Sequence, residues 1–269
     1  MEFKARPITE NVNISKGSRL WDLLLLTGGV LGGLVLLFLV AGLLVDVAVG
    51  HIPVSWEARL GLQMEKSMEL TEDERLTKIL DKLVATLDEK DPNAQRNFRI
   101  ALLETDQINA VALPGDLIVI FSGLLDNAES ENELAMIIGH EMGHFAHRDH
   151  LTRLGRALVF GVASRLVLGD AVASRLTAFF SDTLHAGYSR TQESAADAYG
   201  IQRLALAYGH VGGSLAFFQR VAAMDKSGKL AYLTASHPHP ESRLEALKAL
   251  TLQNGWSKGE LTPLPAPPN

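Results

Sequence analysis

The sequence predicts an α+β protein, mainly α-helical with a small mixed β-sheet, joined to one N-terminal transmembrane helix. Three observations predict it. An uncharged apolar run occupies residues 23–45, short strand-like runs cluster between residues 98 and 122, and helix-period apolar patterning covers nearly everything from Glu131 onward. The chain has 269 residues, enough for one sizeable core or two small ones. It is 47% hydrophobic and 21% charged, which suits a soluble domain with one membrane segment better than a many-pass protein. A net charge of −6 gives no reason to expect nucleic acid as a partner. The absence of cysteine removes disulfides and thiolate chemistry without fixing the compartment.

The run 23–45, bounded by Asp22 and Asp46, spans roughly 35 Å as a helix against a hydrocarbon core of about 30 Å. It is too long for the apolar region of a cleaved signal peptide, although Ala48 to Gly50 would make a passable cleavage site. Lys4, Arg6, Lys16 and Arg19 precede it, and only Arg59 and Lys66 follow within the next stretch. The excess of positive charge places the N-terminus in the cytoplasm and the rest of the chain across the membrane. Gly28, Gly29, Gly32 and Gly33 form overlapping small-xxx-small pairs, a face for homo-oligomer contact. Expected boundaries are a tail over 1–20, the anchor over 21–49, one folded domain over 50–254 and a Pro-rich disordered tail over 255–269.

Within the domain, Leu76, Ile79, Leu80, Leu83, Val84 and Leu87 recur at helical spacing over 72–87, with Thr71 as the expected N-cap. Strands are expected at 98–104, 108–113 and 117–122, the last two separated by a turn at Pro114–Asp116. Helices are expected at 131–148, over much of 155–184, and at 191–207, 211–224 and 240–251. The apolar stretch 154–184 carries Arg156, Arg165, Asp170, Arg175 and Asp182, too many charges for a second span, so an amphipathic pair is expected there.

The chemistry concentrates in "HEMGH", residues 140–144. Positions i and i+4 share a helix face, so His140 and His144 can point two imidazoles at one cation. Glu141 then stands where it can take a proton from water at that ion. A catalytic zinc site needs a third protein ligand. His150 has the right offset, but His147 stands where that pattern needs glycine, and no helix break is visible before Arg148. Glu193 is the other candidate. Asp197 lies one turn further along the same expected helix and would hydrogen-bond the far nitrogen of a ligand histidine.

"NAVALPGDLIVIFSGLL", "ELAMIIGHEMGHFAHRDH", "SRTQESAADAYG" and "SHPHPESRLEAL" follow one another in an order and spacing that resembles the gluzincin peptidases of the HtpX, BepA and CAAX-prenyl-endopeptidase family, over roughly residues 70–250. The resemblance implies a zincin-like metalloprotease domain holding one zinc ion per chain on His140, His144 and Glu193, with Glu141 as catalytic base. It places His237 near the ion, as an oxyanion donor or as a fourth ligand that silences the enzyme. It makes Asn109, Ala110 and Val111 an edge strand that binds substrate peptide. Arg243 would stabilise the oxyanion or pair with a carboxylate such as Asp197. His147, His150 and His239 are left with structural or surface roles. Family members with several membrane helices or a tetratricopeptide extension differ from this chain, which resembles a single-anchor bacterial branch. The function implied is a metalloendopeptidase of the bacterial inner membrane, facing the periplasm and clearing misfolded or unassembled envelope proteins. The competing readings are a zinc-containing chaperone-like binding module and a protease kept latent by His237.

Overall fold

A computed structural model describes residues 18–168, 188–224, 236–238 and 240–265. The chain divides into two units, Met1–Leu44 and Val45–Asn269. The first unit consists, where described, of the greater part of α1 (Arg19–Val49). Its leucines and valines are exposed on every side. Thr27 returns its hydroxyl to the carbonyls of Leu23 and Leu24, so even the polar residue of the run is satisfied within the helix. Among the described residues α1 is the one helix long and apolar enough to cross a membrane.

In the second unit the elements run α2 (Val54–Glu65), β1 (Leu70–Thr71), α3 (Glu74–Val84), β2 (Arg99–Leu103), β3 (Ala110–Leu113), β4 (Leu117–Phe121), α4 (Ser122–Asn127), α5 (Glu131–Ala146), α6 (Asp149–Leu168), α7 (Arg190–Tyr208), α8 (Ala216–Met224) and α9 (Pro240–Gln253). The sheet has the order β1-β2-β4-β3 and is mixed: β2 runs parallel to β4, while β1–β2 and β3–β4 are antiparallel. β4 is central, with Leu117 to Ile120 all buried, and β3 lies at the edge. Gly115 and Asp116, both at positive φ, turn β3 back into β4.

α3 buries Leu76, Ile79, Leu80 and Leu83, as their spacing requires. Its cap is Asp73 rather than Thr71, accepting from the backbone N–H of Arg75 and Leu76. Thr71 instead pairs with Leu102 in β1. α5 is buried along nearly its whole length, and its packing against α7 is the most extensive between any two elements. Ser130 caps it, and the two buried acids of its first turn are paired: Glu131 with Lys82 and Tyr208, Glu133 with Arg220.

Several expectations shift. α2, α4 and β1 had no counterpart in the sequence pattern. Residues 211–215 form a turn before α8 instead of its first helical turns. The Pro-rich tail expected to be disordered is bonded to the domain over 256–265: Val211 N–H donates to the Ser257 carbonyl, Glu131 N–H to the Thr262 carbonyl, and Thr262 N–H to Asn132 Oδ1. Composition argued for disorder, but backbone groups carry this attachment and composition does not report them. Residues 1–17, the second half of the expected amphipathic pair (169–184), His239 and residues 266–269 lie outside the described residues.

A buried ion network fastens α2 to the body. Glu57 is fully buried and accepts from His150 Nε2 at 2.7 Å and Arg96 Nη1 at 3.0 Å, with Arg148 Nη2 at 3.4 Å. Burial alone would push its carboxyl up, but the hydrogen bond and charge of His150, together with Arg96, hold it at about 2. Removing one partner of a buried pair leaves the others uncompensated, so Glu57→Ala is expected to lower stability by about 3 kcal/mol, read as a lowered Tm of the full chain in detergent. Because the folded pKa is depressed from 4.5 to about 2, the difference from wild type is full above pH 4.5 and disappears as pH falls through 2.

Candidate metal centre

Two helices meet at small residues. A Cβ on Gly143 would stand 2.7 Å from Ala196 Cα, and one on Gly200 would stand 2.8 Å from the His140 backbone nitrogen. No side chain can separate the helices there. α5 therefore turns His140 and His144 towards Glu193 and Asp197 of α7 at backbone-contact range. α7 begins with a capping box: Ser189 Oγ accepts from Gln192 N–H, and Gln192 Oε1 accepts from Ser189 N–H.

Each histidine of α5 has one nitrogen committed. A carboxylate can only accept, so His140 Nδ1–H donates to Asp197 Oδ1 at 2.9 Å and His144 Nδ1–H donates to Asp149 Oδ2 at 2.9 Å. Both Nε2 atoms then offer lone pairs, and they face each other at 3.1 Å. His237 Nδ1 lies 3.2 Å from His140 Nε2 and 3.1 Å from Glu193 Oε1. The Glu193 carboxylate oxygens stand 3.7 Å from His140 Nε2 and 3.6 Å from His144 Nε2.

This donor set fits a small cation. Donors about 2.0–2.1 Å from a tetrahedral ion lie roughly 3.4 Å from one another, the spacing seen here. Two facing lone pairs at 3.1 Å repel unless a proton or a cation lies between them. Accordingly the two rings are driven apart in acidity. Burial and the charges of His140, His237 and Arg243 push His144 well below its ordinary value. For His140, burial and Arg243 act downward, but Asp197 and Glu193 outweigh them and raise it. Four carboxylates surround the cluster (Glu141, Asp149, Glu193 and Asp197), all buried, with Arg243 as the buried guanidinium among them. Glu141 Oε2 is buried and has no hydrogen-bond partner, while its Oε1 stands 3.7 Å from His237 Nε2.

Arg243, from α9, grips both carboxylates of α7. Its Nε and Nη2 meet the two oxygens of Asp197 at 2.8 and 2.6 Å, and its Nη1 meets Glu193 Oε2 at 2.6 Å. Burial pushes the Asp197 carboxyl up, but this guanidinium and His140 together outweigh burial and hold it well below the usual range. Of the two partners the sequence left open for Arg243, the geometry shows the carboxylates.

His150 is not in the cluster. α5 ends at Ala146, two residues before the expected end at 148, and Arg148 adopts φ +58°, which sends His150 to Glu57. Ala110 and Val111 begin the edge strand β3, and Asn109, just before it, receives a hydrogen bond at Oδ1 from Ser236 Oγ, next to His237. Sequence reasoning missed Asp149, which lies beyond the helix end where no periodicity applies, and Gln192, whose Nε2 donates to Asp149 Oδ1 at 2.7 Å. It also missed Tyr188, whose ring stacks on His144 at 3.7 Å between centroids.

Residues 70–251, more than half of the chain, match the family described as Peptidase family M48. A putative beta-barrel assembly-enhancing protease of Vibrio cholerae is 27% identical over 194 residues, which cover 67% of this chain and 40% of that protein. The mitochondrial metalloendopeptidase OMA1 of Bos taurus is 29% identical over 175 residues, 58% of this chain and 33% of the relative. The beta-barrel assembly-enhancing protease of Yersinia pestis is 30% identical over 196 residues, 68% and 40% respectively. The chain thus spans at most two fifths of the length of these relatives.

Gly143→Ala forces a methyl group into the Ala196 backbone. It is expected to lower stability by about 1–3 kcal/mol, read by thermal unfolding, and to weaken metal binding in competition with a chromophoric chelator. An unchanged Tm would show that the helices have room to part.

Proposed function

The chain belongs to peptidase family M48, and from that premise we propose that it is a membrane-anchored, zinc-dependent metalloendopeptidase. The convergence of His140, His144, Glu193 and His237 beside the unpartnered Glu141 Oε2 carries this proposal. An all-nitrogen-and-oxygen set with three imidazoles suits zinc, and the chain has no cysteine to supply a softer site. When bound, zinc supplies Lewis acidity, polarising a peptide carbonyl and acidifying water.

In this proposal His140, His144 and Glu193 hold the ion, and Glu141 takes the proton of the attacking water and passes it to the leaving amine. Asp197 and Asp149 fix the tautomers of the two histidines by accepting at Nδ1. Arg243 donates to Asp197 and forms an ion pair with Glu193 Oε2, and so positions the carboxylate ligand. Substrate backbone adds as a strand along Asn109 and the outer edge of β3 at Ala110 and Val111, which reads little side-chain sequence.

A second reading has its own observation. His237 presents Nδ1 to the cluster at 3.1–3.2 Å, the position of a fourth donor, and a closed site has no room for water. His237 is then a latch at rest, and displaced it can donate to the oxyanion. A binding module with structural zinc has no use for Glu141.

The finer biology follows the same reasoning. α1 anchors the chain, and the charges around it favour a periplasmic protease domain at a bacterial inner membrane. Two relatives are named for β-barrel assembly, and bacterial β-barrels of that type are outer-membrane proteins, which supports envelope protein quality control. Gly28, Gly29, Gly32 and Gly33, at small-xxx-small spacing, would let a second copy approach closely through this face.

The test is casein cleavage by the purified full chain with zinc, beside Glu141→Gln and His237→Ala. Glu141→Gln is expected to lose about 10²–10⁴-fold in rate while still binding zinc, and chelation with EDTA to abolish cleavage. Cleavage gained in His237→Ala supports the latch. Cleavage retained in Glu141→Gln would overturn the assigned base.

A further inference from the structure

We propose that α2 and α6 form a collar that sits in the lipid interface where α1 leaves the membrane, with Trp56, Leu60, Leu158 and Val162 as its bilayer-contacting side chains. This rests on α1 being a membrane span.

These residues are large, apolar and uncovered: Trp56 is 64% exposed, Leu60 43%, Leu158 60% and Val162 57%. Isolated exposed leucines need no explanation, but these fall in pairs one helical turn apart, on two helices tied to the same short segment of chain. Four residues separate the end of α1 from the start of α2, so chain reach keeps the first turn of α2 within roughly 15–20 Å of the end of α1. α6 is fastened to the last turns of α1 directly. Arg156 Nη2 pairs with Asp46 Oδ2 at 2.7 Å, and Val45 packs so closely on Gly155 that a Cβ there would meet Val45 Cγ1 at 2.7 Å. Gly155, Leu158 and Val162 lie at i, i+3 and i+7, on one helix face. The exposed pair on α6 therefore continues the surface that already carries an apolar residue of the anchor helix.

α2 cannot roll to hide its tryptophan. Its inward face is fixed by Glu57 in the ion network and by Gly61, where a Cβ would stand 1.9 Å from the Pro114 carbonyl oxygen. The residues left outward include Trp56, Leu60 and Leu62, with Arg59 beside them. Indole favours the headgroup level of a bilayer, and arginine lays its stem on apolar surface while its guanidinium reaches phosphate. A lipid interface accepts this mixture, whereas a dry protein interface would leave the guanidinium to be paired.

Tryptophan quenching tests the proposal on the full chain, reconstituted in phosphatidylcholine nanodiscs with or without bromine near the headgroup end of the acyl chains. Two single-tryptophan proteins are compared. One retains Trp56 (Trp21→Phe, Trp256→Phe), and the other retains Trp21 in the first turn of α1 (Trp56→Phe, Trp256→Phe), both checked for native helix content by circular dichroism. The expected result is loss of most of the emission of both proteins in bromolipid, with Trp56 emission blue-shifted from that of indole in water. Quenching of Trp21 alone would overturn the collar and leave the anchor standing. Quenching of neither would remove the anchor and the collar together. A blue-shifted but unquenched Trp56 would mean that protein, a partner or a second copy, covers this face, and would also overturn the proposal.

Discussion

At Gly139, Gly143, Ala196 and Gly200 two helices approach until backbone meets backbone, and the geometry of the histidine cluster follows from that approach. With any larger residue there, α5 and α7 would stand apart, and the imidazoles of one could not come within 4 Å of the carboxylate of the other. The helix interior pays for its glycines, each worth about 1 kcal/mol relative to alanine. The compensation is packing: α5 is buried nearly end to end and carries Leu134, Ile138, Met142 and Phe145 into the core. Local propensity yields here to tertiary contact.

Close approach creates a second problem, which is buried charge. Carboxylates in a water-poor interior are tolerated only with partners. The protein sorts its charges into two networks, and the sorting point is Arg148. Its left-handed backbone ends α5 and redirects the chain, so that Asp149 folds back onto His144 while His150 turns away to Glu57. On the cluster side, Arg243 bridges Glu193 and Asp197, and Asp197 in turn holds His140. On the other side, Arg96 and Arg148 meet Glu57 and fix α2. One backbone conformation thus separates histidines that the sequence places in a single run.

How far the sequence discloses this depends on how local each interaction is. His140, Glu141 and His144, and likewise Glu193 and Asp197, are related by one helical turn, and their shared faces follow from spacing alone. The pairing of the two helices, and the place of His237 beside them, came from four motifs taken together as a family resemblance. Asp149 was invisible because it lies past a helix end that requires a non-glycine residue at positive φ, which no composition rule anticipates. Helix α2 escaped because its inward face carries Glu57 and Gly61 rather than an apolar stripe. The C-terminal stretch looked disordered because proline content says nothing about carbonyl and amide groups that find partners on α5.

The claim that matters most is that His140, His144 and Glu193, from two separate stretches of chain, hold one cation. Zinc K-edge X-ray absorption on the full chain loaded with one equivalent of zinc tests it most directly. The expected spectrum has nitrogen and oxygen scatterers only, at about 2.0–2.1 Å, with imidazole multiple scattering that diminishes by one ring in His144→Ala and a first shell that changes in Glu193→Ala. A spectrum indifferent to both substitutions, or a six-coordinate shell of oxygens, would contradict it.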